Sequence, residues 1–298
     1  MPTDPGRKQV LVAGATGRLG ELVDVLLARG HMVRATTRDP GSSAAARLRA
    51  AGASIVIGDL DDPATLATAA SGMDAVFATG TAHRAGPDGE LRHGRNIAAA
   101  ASAAGVSHLV YCSGDGAVAD SPLPLLRVKY EIEEHIRGFP GMHTILAPVY
   151  FMENLFNPWN LAALRAGVFP GPIPVDRPIQ QAAIADVTGL AALAIERPDE
   201  FAGERITIAS DELTAARAAE ALSREIGRRF EAEQVDPAEL APGLRALFAW
   251  LEGTGHSVDI PALHGRYPEV SWHSYADWLG SQRHRLAAIC PRKHATLS

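Results

Sequence analysis

Along the first half of the chain, short apolar runs alternate with longer stretches in which apolar residues recur every three or four positions. The runs fall at residues 9–12, 31–36, 54–57, 75–78, 106–111 and 143–146, and helical patterns at 19–28, 43–51, 63–70, 90–104 and 125–137 separate them. Runs this short that are apolar on both faces read as strands covered by helices on either side. The pattern therefore predicts an α/β fold, a Rossmann-type doubly wound parallel sheet over residues 1–150. After Pro148 the rhythm breaks, and residues 149–181 carry Tyr150, Phe151, Phe156, Trp159, Phe169 and five prolines. A helical pattern at 186–196 and a strand pattern at 205–209 can rejoin the first domain, which extends it by about 182–210. Residues 151–181 and 211–298, with helical patterns at 213–226, 238–251 and 275–279, are expected to form a smaller C-terminal substrate-binding lobe. From Ser281 onward the chain is polar and is expected to fray.

Composition narrows the function classes. With 298 residues there is material for one large or two joined domains, and 47% apolar with 21% charged residues is ordinary for a globular chain. A net charge of −6 gives no electrostatic reason to expect nucleic acid or an acidic membrane as partner. No apolar run reaches the roughly 18 residues of a membrane span, and the polar segment from Met1 to Lys8 is not a signal peptide. Two distant cysteines, Cys112 and Cys290, form no disulfide framework, so a cytoplasmic protein, monomer or homodimer, is expected. Eleven histidines show no HExxH and no cysteine partners, so no metal site is expected; GxSxG and GxxxxGK[ST] are also absent.

The chemistry begins at the first strand-to-helix junction, where Gly14, Gly17 and Gly20 are spaced by three. Gly14 permits a sharp turn, Gly17 lets backbone approach a pyrophosphate, and Gly20 lets the helix pack closely on the sheet. Amides across Thr16, Arg18 and Leu19 can then donate to phosphate oxygens. The second strand ends in Thr36-Thr37-Arg38-Asp39. NAD enzymes tend to place a carboxylate there for the ribose 2′-hydroxyl. Arg38, with Arg18 near by, instead offers a fork to a 2′-phosphate and favours NADPH (or NADP+), with Asp39 as the alternative holder of a free ribose. Asp59 can meet the adenine amino group or cap the next helix. Leu60, Thr79, Gly80, Thr81 and Pro148, at the ends of later strands, complete the expected cofactor contacts.

These segments resemble the NmrA-like branch of the atypical short-chain dehydrogenase/reductases. The resemblance is carried by Gly14-Ala-Thr-Gly17-Arg-Leu-Gly20, Thr37-Arg38-Asp39-Pro40, Gly58-Asp59-Leu60, Gly94-Arg-Asn-Ile-Ala98, residues 104–113, and Lys129-Tyr-Glu-Ile-Glu-Glu-His-Ile136. The most diagnostic is Thr144-Ile-Leu-Ala-Pro-Val-Tyr-Phe-Met-Glu-Asn154, which is similar to the family's TILRPGxFMEN signature. The resemblance covers residues 8–210. It implies reductases that pass hydride from NADPH to ketones, quinones, imines or activated C=C bonds, and also non-catalytic redox sensors. Fold alone therefore decides nothing about activity.

The resemblance implies that Ser113, ending the fifth strand, and Lys129, on the next helix, occupy the positions of the usual serine and lysine. The tyrosine expected four residues before the lysine is Leu125. Three repairs remain open. Lys129 itself can be the acid, as in isoflavone-reductase-like relatives, with its pKa lowered by burial or by neighbouring positive charge. Lys129 can instead only bind the nicotinamide ribose, with the proton drawn from water or a substrate hydroxyl. Or another side chain serves: Ser113, His83, Asp115 or Tyr150. Tyr130 should point about 100° away from Lys129. A plain alternative for Lys129 is a surface pair with Glu133 at i+4. Tyr150, Phe151, Met152, Phe156 and Trp159, following the sixth strand, can form an apolar wall for a flat substrate or the core joining the lobes. Trp250, Trp272 and Trp278 are expected in the core of the second lobe. The specific expectation is a tailoring ketoreductase of an aromatic polyketide. A quinone or C=C reductase and a dinucleotide-sensing regulator are the alternatives.

Overall fold

The computed structural model describes residues 6–80 and 82–290, apart from the side chains of residues 82–84. Thr81 and the side chain of His83 thus lie outside the described residues.

Six strands of the first unit are β1 (Gln9–Val12), β2 (Met32–Thr37), β3 (Ser54–Ile57), β4 (Ala75–Thr79), β5 (His108–Cys112) and β6 (Met142–Pro148). The strand Arg205–Ile208 adds to β6, and the sheet order is Arg205–Ile208, β6, β5, β4, β1, β2, β3, parallel throughout. Val10 stands opposite Val33 of β2 and Ala75 of β4. The chain direction across the sheet reverses between β1 and β4. That switch point is where open α/β sheets bind ligands, beyond the carboxyl ends of the strands. The expected Rossmann-type architecture is what the chain adopts.

Helices α1 (Glu21–Ala28), α2 (Ser43–Ala50), α3 (Pro63–Ala70), α4 (Ala82–Ala103) and α5 (Pro124–Arg137) connect these strands. Their starts follow local chemistry. Ser42 caps α2 by accepting from the Ala45 amide, and Asp62 caps α3 by accepting from the Ala64 amide. Asp59 is therefore not the cap. Its Oδ1 accepts from the Asp61 amide at 3.0 Å. The helix expected from residue 90 starts earlier but is broken at Gly86, whose φ of 67° admits only a glycine comfortably, and Pro87 reopens it. Leu11, Val76, Leu109, Ile132 and Ile136 pack in the core between sheet and helices.

The chain divides into two units: one running to Pro148 and including Val187–Ile208, the other covering Val149–Asp186 and the chain from Ala209 onward. The second unit has its own core, in which Phe156, Phe169, Tyr275 and Trp278 pack together. The pattern expected as one helix at 213–226 is a strand, Asp211–Thr214, followed by the helix Ala215–Ile226, because Thr214 caps the helix through the Arg217 amide. The tail expected to fray from Ser281 carries the helix Arg283–Ile289, anchored by fully buried Leu286. Among the described residues no helix is long and apolar enough to cross a membrane, and no group of three metal-ligating side chains occurs.

Candidate active site

The turn between β1 and α1 has the shape that its glycines dictate. Gly14 has φ +81°, and a Cβ on Gly20 would overlap the Ala15 carbonyl oxygen. The Gly17 amide donates to the Gly14 carbonyl at 2.8 Å. Leu19 and Gly20 are buried beneath the turn, while Thr16, Gly17 and Arg18 are exposed at its crest. At the end of β2, Arg38 is exposed and has no ion-pair partner among the described residues. Asp39, the alternative ribose holder, has one carboxylate oxygen committed: Oδ1 accepts from the Gly41 amide at 2.9 Å. These residues suit a dinucleotide: a glycine cradle that a Cβ would fill, an exposed amide crest, and an uncommitted guanidinium where a 2′-phosphate would lie.

Lys129 is held at the other side of the switch point. Its Nζ donates to Oε1 of Glu90, on α4, at 2.8 Å, and Glu90 is buried. The contact is set by how closely α4 and α5 approach. One turn further along α4 stands Gly94, where a Cβ would come within 2.6 Å of the Ile132 side chain. Ile132 lies three residues beyond Lys129 on α5. The absence of a side chain at Gly94 thus lets Glu90 and Lys129 meet, since residues three or four apart share a helix face. The ammonium rests against Gly80, where a Cβ would stand 2.6 Å from Nζ, and the stem passes Gly114, where a Cβ would stand 3.4 Å from it. Lys129 therefore sits over the carboxyl ends of β4 and β5. It is not the exposed i+4 partner of Glu133, and its neighbour is a carboxylate rather than another cation.

Ser113 has a different partner from the one its position suggests. Its hydroxyl donates to Oε1 of Glu133 at 2.5 Å, and Glu133 is fully buried. Glu133 Oε2 accepts from Arg205 at 2.8 Å and from Arg137 at 3.2 Å, and Arg205 also donates to the Gly114 carbonyl at 3.3 Å. A hydroxyl whose proton is given to a buried carboxylate has none left to polarise a substrate carbonyl. Ser113, expected as a catalytic donor, is here part of a network tying β5, α5 and the strand Arg205–Ile208. The Asp115 amide donates to the Pro148 carbonyl at 3.0 Å, which joins the ends of β5 and β6. Leu125, at the missing tyrosine's position, is exposed.

Beside Lys129, burial raises the Tyr111 phenol well above its ordinary pKa and pushes the Cys112 thiol up to about 12. Cys112 is thus an inert thiol. Thr79, Gly80 and Leu60 line a small cavity here together with Glu90, His93 and Tyr111.

The aromatic segment after β6 belongs to the second unit. Met152 and Phe156 are buried, and Phe156 packs against Trp278 at 5.5 Å between ring centroids. Phe156 is core rather than an accessible wall, because an apolar ring this enclosed gains more from packing than a ligand could add. Trp159 is exposed, Tyr150 and Phe151 are half-buried, and Trp278 is core. Tyr150, Met152, Phe169 and Tyr275 line a cavity with about 20 Å³ of free space, too small for an aromatic ring. Trp272 stacks on His264 at 4.3 Å, and Trp250 packs at the edge of a smaller apolar cluster.

Glu90 and Arg205 are polar residues of this region that sequence reasoning missed, and Glu133 entered it only as a surface partner of Lys129. Glu90 opens an expected helix with no local mark. Glu133 is one of several charged residues in a row, and nothing in that pattern signals burial.

A seven-stranded parallel sheet reversing between β1 and β4, with a glycine turn on one side of the reversal and an anchored lysine on the other, defines a Rossmann-type nucleotide-binding class of protein. The profile of the NmrA-like family matches residues 6–272, and the chain belongs to that family. It is 30% identical to an NAD(P)H azoreductase from Xenophilus azovorans, over 78% of this chain and 79% of that one. It is 33% identical to a (4-alkanoyl-5-oxo-2,5-dihydrofuran-3-yl)methyl phosphate reductase from Streptomyces griseus, with the same coverage. Among solved structures, an NADPH-dependent quinone oxidoreductase from Escherichia coli in complex with NADPH superposes with a TM-score of 0.74 at 25% identity, covering 91% of this chain and 99% of that one. The negative transcriptional regulator NmrA, in complex with NADP, superposes with a TM-score of 0.75 at 22% identity, covering 92% and 95%.

Proposed function

We propose that this protein is an NADPH-dependent reductase that delivers hydride to a carbonyl of a small conjugated compound, with Lys129 as proton donor. The observation that carries this reading is the Lys129 ammonium, fixed by Glu90 over the ends of β4 and β5. Amides of the turn from Gly14 to Gly20 would hold the pyrophosphate, and Arg38 the 2′-phosphate that separates NADPH from NADH. A bound reduced nicotinamide supplies the hydride. Reduction leaves negative charge on the substrate oxygen, and Lys129 both stabilises that charge and supplies the proton, the part played elsewhere by a tyrosine. Ser113 takes no part in the transfer, since its proton is committed to Glu133.

The substrate class rests on the relatives, whose names include an azoreductase, a quinone oxidoreductase and a furanone phosphate reductase. Such acceptors are flat and conjugated. An aromatic ketone of polyketide type is the first choice of substrate. A quinone is the second, favoured by the E. coli relative.

The test follows NADPH fluorescence with a panel of hydroxylated aromatic ketones, naphthoquinones and azo dyes. Oxidation of NADPH by at least one aromatic ketone, lost in Lys129→Met while NADPH still binds, supports the reading. Tight dinucleotide binding with no turnover on any member of the panel overturns it and leaves a sensor of nucleotide state.

A further inference from the structure

Behind Lys129 the Glu90 carboxylate has two different ends. Oε1 accepts from Lys129, whereas Oε2 is buried and has no hydrogen-bond partner among the described residues. The Tyr111 hydroxyl, on β5, is in the same condition. Both side chains line one small cavity, whose remaining walls include Ala13, Ala78 and Ile97 as well as His93. Its free space is about 10 Å³, about what one water needs. Two buried polar atoms without partners, each costing about 1–3 kcal/mol if left so, converge on a space that one water would fill.

His93 connects this cavity with the surface. Its ring is largely covered, and Nε2 lies 3.1 Å from Asp61 Oδ1, on a half-exposed carboxylate. Arg92 and then His93 hold that carboxyl below its ordinary pKa. Between solvent and Lys129 there thus lie in turn Asp61, His93 at the cavity wall, and Glu90.

We propose that a single water bound between Glu90 Oε2 and the Tyr111 hydroxyl makes Glu90 a proton relay, which returns a proton to Lys129 after each reduction. The inference rests on the reading of Lys129 as the acid. After Lys129 has given a proton to the substrate oxygen, the Glu90 carboxylate takes a proton at Oε2 from the cavity water. The carboxyl group so formed turns and hands a proton to the neutral amine of Lys129, which restores the Glu90 carboxylate, and the hydroxide left in the cavity regains its proton from solvent by way of His93 and Asp61. No electrons move, and each donor is left as it began. Tyr111 stays a neutral phenol and only orients the water, which makes it a positioning residue. The charged and titratable groups facing Glu90 are Lys129 from α5, Tyr111 from β5 and His93 on its own helix. Cys112 acts on Lys129 and Tyr111, and Glu133 on Tyr111.

The test has a structural arm and a kinetic arm. A crystal structure of the wild-type protein without ligand, at a resolution that shows ordered water, should place one water within hydrogen-bond distance of both Glu90 Oε2 and Tyr111 Oη. A dry cavity overturns the proposal. For kinetics, Tyr111→Phe touches neither Lys129 nor substrate. With NADPH and 1,4-naphthoquinone it should show a first turnover as fast as wild type, a slower steady state, and recovery of the steady state on adding imidazole buffer. Glu90→Gln should show the same loss and recovery. A steady state equal to wild type in both variants overturns the relay even if Lys129→Met is inactive. Full activity of Lys129→Met instead overturns the reading of Lys129 on which the relay rests, whatever the other variants do.

Discussion

Lys129 and Glu133 stand one helical turn apart on α5, yet their side chains go to different partners: Lys129 to Glu90, and Glu133 to Ser113, Arg205 and Arg137. One turn of the helix thus serves the edge of the sheet where chemistry is proposed, and the next turn locks the fold. The two functions should separate in mutants. Ser113→Ala leaves a buried carboxylate oxygen short of a donor and should cost about 1–3 kcal/mol of stability. It should also leave kcat within a few-fold of wild type. Urea unfolding and steady-state kinetics on the same sample check both. A loss of turnover of 100-fold or more, of the size that removal of a general acid brings, would restore Ser113 to the reaction. Glu133→Ala removes the fully buried carboxylate that accepts from Ser113, Arg205 and Arg137 and should destabilise by about 3–5 kcal/mol.

Arg38 carries the cofactor prediction. A charge-assisted hydrogen-bond pair to a phosphate contributes about 1.5–3 kcal/mol, so Arg38→Ala should raise the Kd for NADPH about 10- to 100-fold. The Kd for NADH should change little, since a free 2′-hydroxyl offers the guanidinium no charge. Calorimetric titration with both nucleotides measures the ratio. Equal weakening of the two would mean that Arg38 does not read the 2′ position and that Asp39, despite its bond to the Gly41 amide, deserves the role.

Gly94 sets the distance between α4 and α5. A methyl group there would press on Ile132, and neither backbone can yield without moving its helix. Gly94→Ala should destabilise by about 1–3 kcal/mol and lower turnover by drawing Glu90 away from Lys129. Trimming Ile132 removes the atoms in the way. The double variant Gly94→Ala with Ile132→Ala should therefore turn over faster than Gly94→Ala alone, although Ile132→Ala by itself leaves a cavity and costs stability. A double variant no better than the sum of its parts would place the defect elsewhere.

How much of this was legible in the chain depended on range. The strands and the turn at Gly14, Gly17 and Gly20 could be read because apolar period and glycine spacing are local. The pairing of Lys129 could not, since Glu90 lies 39 residues away and meets it only because Gly94 lacks a side chain. The partner visible to a local reading, Glu133, is turned inward by Arg205, 72 residues further along. That same distant arginine explains why Ser113 looked like a donor to substrate: its position is right, but the group that takes its proton is invisible until the sheet is assembled. In the second unit Met152 and Phe156 read equally well as ligand wall or core, and only packing against residues such as Trp278, more than a hundred positions later, decides. The helix Arg283–Ile289 was missed because its anchor is one fully buried leucine, Leu286, directly after the polar run Arg283–Arg285.

The buried His108 gives a prediction independent of ligand. Thr144 donates its hydroxyl proton to the Phe201 carbonyl at 2.9 Å, so it can only accept from His108 Nε2, at 2.8 Å. Nε2 therefore carries a proton, and Nδ1 is buried without a hydrogen-bond partner among the described residues, which fits an imidazole that is neutral at pH 7. Burial, aided by the positive neighbours His143 and Lys8, lowers its pKa to about 4 from an ordinary value of 6.5. The unfolded chain then binds a proton that the folded chain refuses between these two values, so stability rises with pH across that window. Coming from neutral pH, His108 should leave stability unchanged down to about pH 6.5. It should then remove on the order of 3 kcal/mol by pH 4, at about 1.4 kcal/mol per pH unit. Carboxylates such as Asp61 and Asp277, held below their ordinary pKa by their hydrogen bonds, add their own losses at lower pH, so the comparison must be with His108→Gln. Urea unfolding of both proteins from pH 7.5 to pH 4.5 should show a difference in free energy that is flat above pH 7 and moves steadily in favour of the variant below pH 6. A constant difference across the range would mean that His108 titrates alike in the folded and unfolded chains.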